Sequence, residues 1–286
     1  MSGPAPLRLG IDGGGTNCRA RLTDGEGRVL GEGRAGPATL RLGADRSFAA
    51  LIEASMAALV AAGLDPVADA RRVAACAALA GFSRSEAREA LAAKPHPFGR
   101  LRLAPDIEAA CIGAHAGADG GIVVVGTGSC AFARVGSRHI RFGGWGLPAS
   151  DEGSGSFLGL RAVEAAFRCL DGRLPPSAFF EAIFAAVPAE PAALVAWVDE
   201  AGATELASLA PLVASAADAG DPAAAAIMNE AARAVDGLAQ ALVAAGVPRV
   251  ALVGGLADVM LPRLRTPLVA PLGDPLDGAL ILARGP

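Results

Sequence analysis

Residues Asp12-Gly13-Gly14-Gly15-Thr16 constrain this chain most. An apolar alternation of Leu7, Leu9 and Ile11 leads into them. A second follows at once, with Cys18, Ala20 and Leu22 on one side and Arg19 and Arg21 on the other. Period-two patterning on both sides of a glycine turn predicts a β-hairpin. Its turn is nearly free of side chains, so backbone N–H groups can approach a ligand closely. A nest of N–H groups beside a hydroxyl suits phosphate oxygens. Asp12, at the strand end, suits a hydrated Mg²⁺ that neutralises those phosphates. An ordinary glycine-rich hairpin shares this composition, but the acid before the glycines and the threonine after them favour phosphate binding. The stretch is neither a Walker loop nor a dinucleotide fingerprint, because both of those open a helix and here a strand follows.

The rest of the chain supports a folded carrier for such a turn. Its 286 residues suggest two domains at the usual ~100–200 residues each. At 52% hydrophobic and 19% charged residues, disorder is excluded. A net charge of −4 argues against nucleic acid as a partner. Met1 to Pro6 lacks the basic and apolar regions of a secretory leader, and no apolar run reaches the roughly 18 residues that span a bilayer. A cytoplasmic protein without a membrane partner is expected. The five cysteines, Cys18, Cys76, Cys111, Cys130 and Cys169, form no C-x-x-C pair, so they read as small buried apolar residues in a reducing compartment.

In order, the chain reads as follows. A third strand spans Arg28 to Glu32, and a helix capped by Asp45 ends at Gly63. A buried strand runs from Val73 to Ala80. A helix with a Ser83-x-x-Glu86 capping box extends to Ala93. A strand at Leu101–Leu103 and a helix from Ile107 to His115 complete the pattern βββαβαβα. A second stretch begins alike, with strands at Ile122–Val125, Cys130–Val135 and Ile140–Phe142. Helices follow at Ser154–Leu170, Ser177–Val187, Ala192–Glu200, Leu206–Ala219 and Ala223–Ala245, then strands at Val250–Val253 and Leu268–Ala270 and a helix at Asp277–Ala283. Its first turn, Gly126-Thr127-Gly128-Ser129, is again glycine-rich with a threonine. The doubled order predicts two like α/β domains, each presenting a phosphate-type hairpin to a shared cleft.

Four sets of residues carry a family resemblance: Asp12 to Thr16; Gly126 to Ser129; Gly143-Gly144-Trp145-Gly146 with Asp151-Glu152-Gly153-Ser154-Gly155; and Val253-Gly254-Gly255. Together they resemble the amino-sugar kinases of the BadF/BadG/BcrA/BcrD group, within the sugar kinase, Hsp70 and actin superfamily. The resemblance runs from Leu9 to the Asp277-Gly278-Ala279-Leu280 helix and is nearest to glucosamine and N-acetylglucosamine kinases. It implies duplicated ribonuclease-H-like (actin-like ATPase) domains of type βββαβαβα with a deep cleft between them. The first would cover residues 1–115, with the closing helix 275–286 packing back on it, and the second residues 116–274 with a helical insert.

The resemblance also implies roles. Asp12 supports the metal. Gly13, Gly14, Gly15, Thr16 and Asn17 bind the terminal phosphates of ATP, and Thr127, Gly128 and Ser129 form a second phosphate loop. Gly254, Gly255 and Leu256 bind adenosine. Asp106 matches the catalytic aspartate. Read by itself, Pro105-Asp106 before a helix is a common helix start, yet it also follows a strand, where α/β sheets place ligands. Gly144, Trp145, Gly146 and Asp151 match sugar-holding positions, with Asp106, Thr127, Gly128 and Thr39 contributing. Trp145 also reads as a core residue, and Asp151-Glu152 as a capping pair for the helix at Ser154. Many relatives carry an asparagine where this chain has Thr39, and a hydroxyl reaches less far than an amide.

The implied reaction is ATP- and Mg²⁺-dependent transfer of the γ-phosphate to the 6-hydroxyl of glucosamine or N-acetylglucosamine. The partners are then the sugar and ATP, and the resemblance leaves room for a homodimer. Two other readings share the fold. A dehydratase-activating ATPase needs clustered cysteines for an iron–sulfur centre, and here they are scattered. A non-catalytic sugar sensor usually carries a DNA-binding module, of which no basic arm or spare helix-turn-helix is visible.

Overall fold

The computed structural model describes residues 6–285. The chain divides into two compact units. One holds Met1–Gly120, Arg134–Arg138 and Ala270–Pro286; the other holds Gly121–Ala133 and His139–Val269.

The first unit begins with β1 (Leu7–Gly13), β2 (Cys18–Thr23) and β3 (Val29–Ala35). It continues through α1 (Ala44–Ala61), β4 (Val73–Leu79), α2 (Ser85–Ala92), β5 (Arg100–Pro105) and α3 (Asp106–Ala114). The five strands form one sheet in the order β3-β2-β1-β4-β5. The β1–β2 and β2–β3 pairs are antiparallel, while β1–β4 and β4–β5 are parallel. β4 has small residues pointing both ways, so helices cover both of its faces, as a parallel strand requires. On one side Ala75, Ala77 and Leu79 join Leu9, Ile11, Leu51 and Leu59 in a core. On the other, Cys76 and Ala78 pack with Ala109, Ile112, Ala279 and Leu282.

The second unit carries β6 (Gly120–Val125), β7 (Ser129–Val135) and β8 (Arg138–Gly143), apart from Gly120 and Arg134–Arg138, which fall in the first. The helical insert follows: α4 (Gly155–Leu170), α5 (Ala178–Ala186), α6 (Pro191–Glu200), α7 (Ala203–Ala207), α8 (Ala210–Asp218) and α9 (Pro222–Ala244). β9 (Val250–Val253) and α10 (Ala257–Met260) close it. The sheet order is β8-β7-β6-β9, with β9 parallel to β6. The expected last strand, Leu268–Ala270, is reduced to one parallel bridge between Val269 and Ala251. Pro267 and Pro271 flank it, and neither has an N–H to extend a ladder. With that bridge counted, the second sheet repeats the order of the first, so the doubling of α/β elements is real.

The closing helix α11 (Pro275–Ala283) lies in the first unit, where it packs on α3 and β1. It starts with a capping box between Asp274 and Asp277. Its contact with α3 is backbone to backbone: a Cβ at Gly278 would fall 1.8 Å from the Ala109 carbonyl oxygen.

Three local expectations are corrected. The helix after Ser83 starts at Ser85 with Arg84 as its cap residue and no side-chain cap bond, so the Ser83 capping box does not form. Asp45 lies in the first turn of α1 and pairs with Lys94, while Gly43 is the cap residue. Leu206–Ala219 is two helices, α7 and α8, because Pro211 starts a new one. No single helix among the described residues is long and apolar enough to cross a membrane.

Candidate active site

In the first unit, Asp12 stands next to last in β1, in register with Arg19 of β2 and Ala78 of β4. Arg19 Nη2 donates to Asp12 Oδ2 at 2.7 Å. The β1–β2 turn is closed by the Gly14 N–H donating to the Asn17 carbonyl at 2.9 Å, and Gly15, Thr16 and Asn17 are exposed. The carbonyls of Gly13 and Gly14 accept N–H groups of Ala80 and Ala38 at 2.9 and 3.1 Å, which fix the turn to two neighbouring segments.

Thr39 is 6% exposed. Its hydroxyl donates to the Ala80 carbonyl at 3.2 Å and accepts the Arg41 N–H at 3.4 Å. The hydroxyl therefore anchors its own loop to the end of β4. Asp106 is the first residue of α3 and follows β5 directly, and its carboxylate accepts the Ile107 N–H at 2.9 Å. Pro105, not Asp106, is the helix cap residue. Burial pushes the Asp106 pKa above the ordinary carboxylate value. The Ile107 N–H pulls against this shift and the Asp12 charge adds to it, while the Arg41 guanidinium also opposes it. Asp12, the glycine turn, Ala80 and Asp106 all follow or end the parallel strands β1, β4 and β5. In sheets of this kind ligands bind at that edge.

In the second unit, the Gly126–Ser129 turn joins β6 to β7. Its Gly126 N–H donates to the Gly128 carbonyl at 2.9 Å. The start of α4 grips the same turn: the Gly155 and Ser156 N–H groups donate to the carbonyls of Gly126 and Thr127 at 2.8 and 3.1 Å. Ser154 caps α4 through the Phe157 N–H, so Asp151 and Glu152 are not the capping pair. The Ser129 hydroxyl donates to the Glu152 carbonyl at 2.7 Å. Asp151 holds a left-handed backbone at φ 69°, costly for a non-glycine residue. Its carboxylate lies against Gly128, where a Cβ would come within 2.6 Å of Oδ2. Trp145 is 77% exposed and so is not a core residue. The Arg141 guanidinium sits 5.2 Å from its ring centroid and donates to the Gly144 carbonyl. Gly254 and Gly255 follow β9, and the Leu256 N–H donates to the Val125 carbonyl at 3.0 Å, tying that turn to the end of β6.

Sequence reasoning missed Arg19, Arg41, Arg141 and Asp274. Arg19 was within reach of it, since a tight hairpin sets position 19 opposite position 12. The others depend on contacts that no local pattern announces.

Among the described residues no group of three or more His, Cys, Asp or Glu side chains is placed to hold a metal ion. Asp12 as a lone carboxylate fits Mg²⁺ that keeps its waters and takes its remaining ligands from phosphates. The cysteines do not fit a cluster. Cys18, Cys76 and Cys111 are buried, and burial pushes their thiols up to about 12, about 12 and about 11.

Known proteins share the sequence and fold of this chain. The profile of the BadF/BadG/BcrA/BcrD ATPase family matches residues 9–269. The chain is 33% identical to the glucosamine kinase GspK of Vibrio cholerae over 282 residues, covering 97% of this chain and 96% of that protein. A solved structure from Chromobacterium violaceum, assigned as an N-acetylglucosamine kinase, superposes with a TM-score of 0.88 at 36% identity, covering 98% of this chain and 99% of that one. A ROK-family glucokinase from Streptomyces griseus shares the fold at a TM-score of 0.57 and 20% identity, covering 98% of this chain and all of that one. The chain belongs to the BadF/BadG/BcrA/BcrD ATPase family.

Proposed function

We propose that this protein is an amino-sugar kinase that transfers the γ-phosphate of ATP to the sugar 6-hydroxyl, with glucosamine as the preferred acceptor. The observation that carries the reading is Asp106. It is a carboxyl at the end of a parallel strand with raised proton affinity, on a chain 33% identical to a glucosamine kinase over 97% of its length.

Asp106 takes the proton of the 6-hydroxyl as that oxygen attacks the γ-phosphorus and the bridging oxygen leaves with ADP. A base whose pKa is raised toward the working pH is the better catalyst, and general base catalysis contributes ~10²–10⁴ in rate. The backbone N–H groups of Gly13 to Asn17 and of Thr127 to Ser129 bind the phosphates, where fixed dipoles stabilise the developing charge. Asp12 would hold Mg²⁺, which when bound would supply charge neutralisation across the phosphates. Gly254, Gly255 and Leu256 hold adenosine.

Trp145 offers an exposed ring face to the sugar, flanked by the N–H groups of Gly144 and Gly146. Asp151 accepts sugar hydroxyls. Thr39 shapes the loop wall through its anchor on Ala80. The preference for glucosamine rests on charge: carboxylates at Asp151 and Glu152 attract a 2-ammonium group more strongly than the neutral N–H of an acetamide. The two compact units are the two actin-like domains of this reading, with the closing helix in the first.

The test is ADP release by the purified protein with Mg²⁺ and ATP across glucosamine, N-acetylglucosamine and glucose. Release that depends on an amino sugar, with glucosamine giving the highest kcat/KM, supports the reading. Equal kcat/KM on glucose would remove Trp145 and Asp151 as readers of the 2-substituent.

A further inference from the structure

Arg19 carries two ends of one guanidinium to two different acids. Nη2 donates to Asp12 Oδ2 at 2.7 Å, while Nη1 stands 3.6 Å from Asp274 Oδ2, beyond hydrogen-bond distance. Asp274 is a fixed acceptor, because it caps α11: its Oδ1 accepts the Asp277 N–H at 3.0 Å, and Asp277 Oδ2 accepts the Asp274 N–H at 2.9 Å. Arg21, two residues along the same strand face, is already held by Glu32 at 2.7 Å and Asp277 at 2.8 Å, and its Nη1 stands 3.5 Å from Asp274. Four acids, Asp12, Asp274, Asp277 and Glu32, therefore share two guanidinium groups, and the acidic surplus lies on the side of α11.

We propose that Arg19 is a positioning residue that releases Asp12 and draws its looser ion pair with Asp274 into hydrogen-bond contact when a divalent cation takes up the Asp12 carboxylate. The proposal rests on the reading of Asp12 as the metal-supporting acid. Without the cation, Arg19 neutralises Asp12 and holds its carboxylate in one orientation. An arriving cation places positive charge beside Arg19, and the guanidinium turns the short distance to Asp274. No proton moves, since arginine stays charged throughout. The planar fork, with donors at both ends, makes the exchange available to arginine and not to lysine.

The test is binding of Mn²⁺ in the presence of a saturating non-hydrolysable ATP analogue, followed by electron paramagnetic resonance, to the full-length protein and four variants checked for fold by circular dichroism. Arg19→Gln removes the competing cation, so the Mn²⁺ dissociation constant falls by roughly three- to fivefold, the range expected of a partly exposed ion pair. Asp274→Asn keeps a good capping side chain but removes the receiving charge, so the same constant rises about twofold. Arg21→Gln deletes the same charge from the same strand face without touching Asp12, and it moves the constant by less than twofold. Asp12→Asn abolishes the site. Equal tightening in Arg19→Gln and Arg21→Gln would reduce the effect to net charge and overturn the exchange. Unchanged or tighter binding in Asp274→Asn would overturn it as well. Unaltered Mn²⁺ binding in Asp12→Asn would instead overturn the assignment of Asp12, and the exchange with it.

Discussion

Gly128 and Asp151 are in direct contact: a Cβ at position 128 would lie 2.6 Å from Asp151 Oδ2. The phosphate-type turn and the acid assigned to the sugar are thus set by one steric relationship. The obstacle is the end of a side chain, not backbone, so Gly128→Ala moves Asp151 and leaves the fold intact. A displaced charged acceptor costs about tenfold. We expect KM for the sugar to rise by that factor with an unchanged melting temperature, measured by ADP-release kinetics and thermal unfolding.

Asp106→Asn separates catalysis from stability. Turnover should fall by ~10²–10⁴, with sugar affinity by calorimetry nearly intact. The raised pKa also has a consequence for folding. The native state binds the Asp106 proton more tightly than the unfolded state, so this group's contribution is fully present below its unfolded pKa and is lost as pH rises through its folded pKa. Above its raised pKa the half-buried carboxylate carries a desolvation cost that asparagine removes. The variant should melt higher than wild type at alkaline pH, and the gain should vanish at acid pH.

Arg41 tunes the proposed base. Its positive charge opposes the upward shift of Asp106, so removing it raises the Asp106 pKa further. Arg41→Gln should move the acid limb of the kcat/KM profile to higher pH, and Arg41→Lys should restore it. A pH–rate series on the three proteins checks both.

The α3–α11 contact is unforgiving. A Cβ at Gly278 would meet the Ala109 carbonyl at 1.8 Å, and neither backbone can yield without separating the helices. Gly278→Ala should cost ~1–3 kcal/mol, the usual range for overpacking. Since α3 begins with Asp106, turnover should fall together with the melting temperature.

Much of this was legible in the sequence for physical reasons. Alternation around Asp12–Thr16 predicted the hairpin, because period two has few other solutions. The run Val250–Val253 matched β9 to the residue, bounded by Arg249 and Gly254. Leu268–Ala270 misled because an apolar triplet reads as a strand until the flanking prolines are weighed. The positions of Asp12 and Asp106 at strand ends could be inferred, but their surroundings could not. Arg19 reaches Asp274, and Arg21 reaches Asp277 across 256 residues, by way of a closing helix whose packing depends on Gly113 and Gly278. The sequence offers the Thr39 hydroxyl as a ligand contact, and in the fold it also donates to the Ala80 carbonyl. Which of a loop's polar atoms the backbone claims is a tertiary fact.

Transfer of the γ-phosphate to a sugar oxygen is read out by ³¹P NMR of a reaction containing the protein, Mg²⁺, ATP and glucosamine. A sugar phosphate-ester signal should grow in step with ADP and be identified as the 6-phosphate by its coupling to the C6 protons. Release of inorganic phosphate at the same rate with and without glucosamine, and no ester signal, would contradict it.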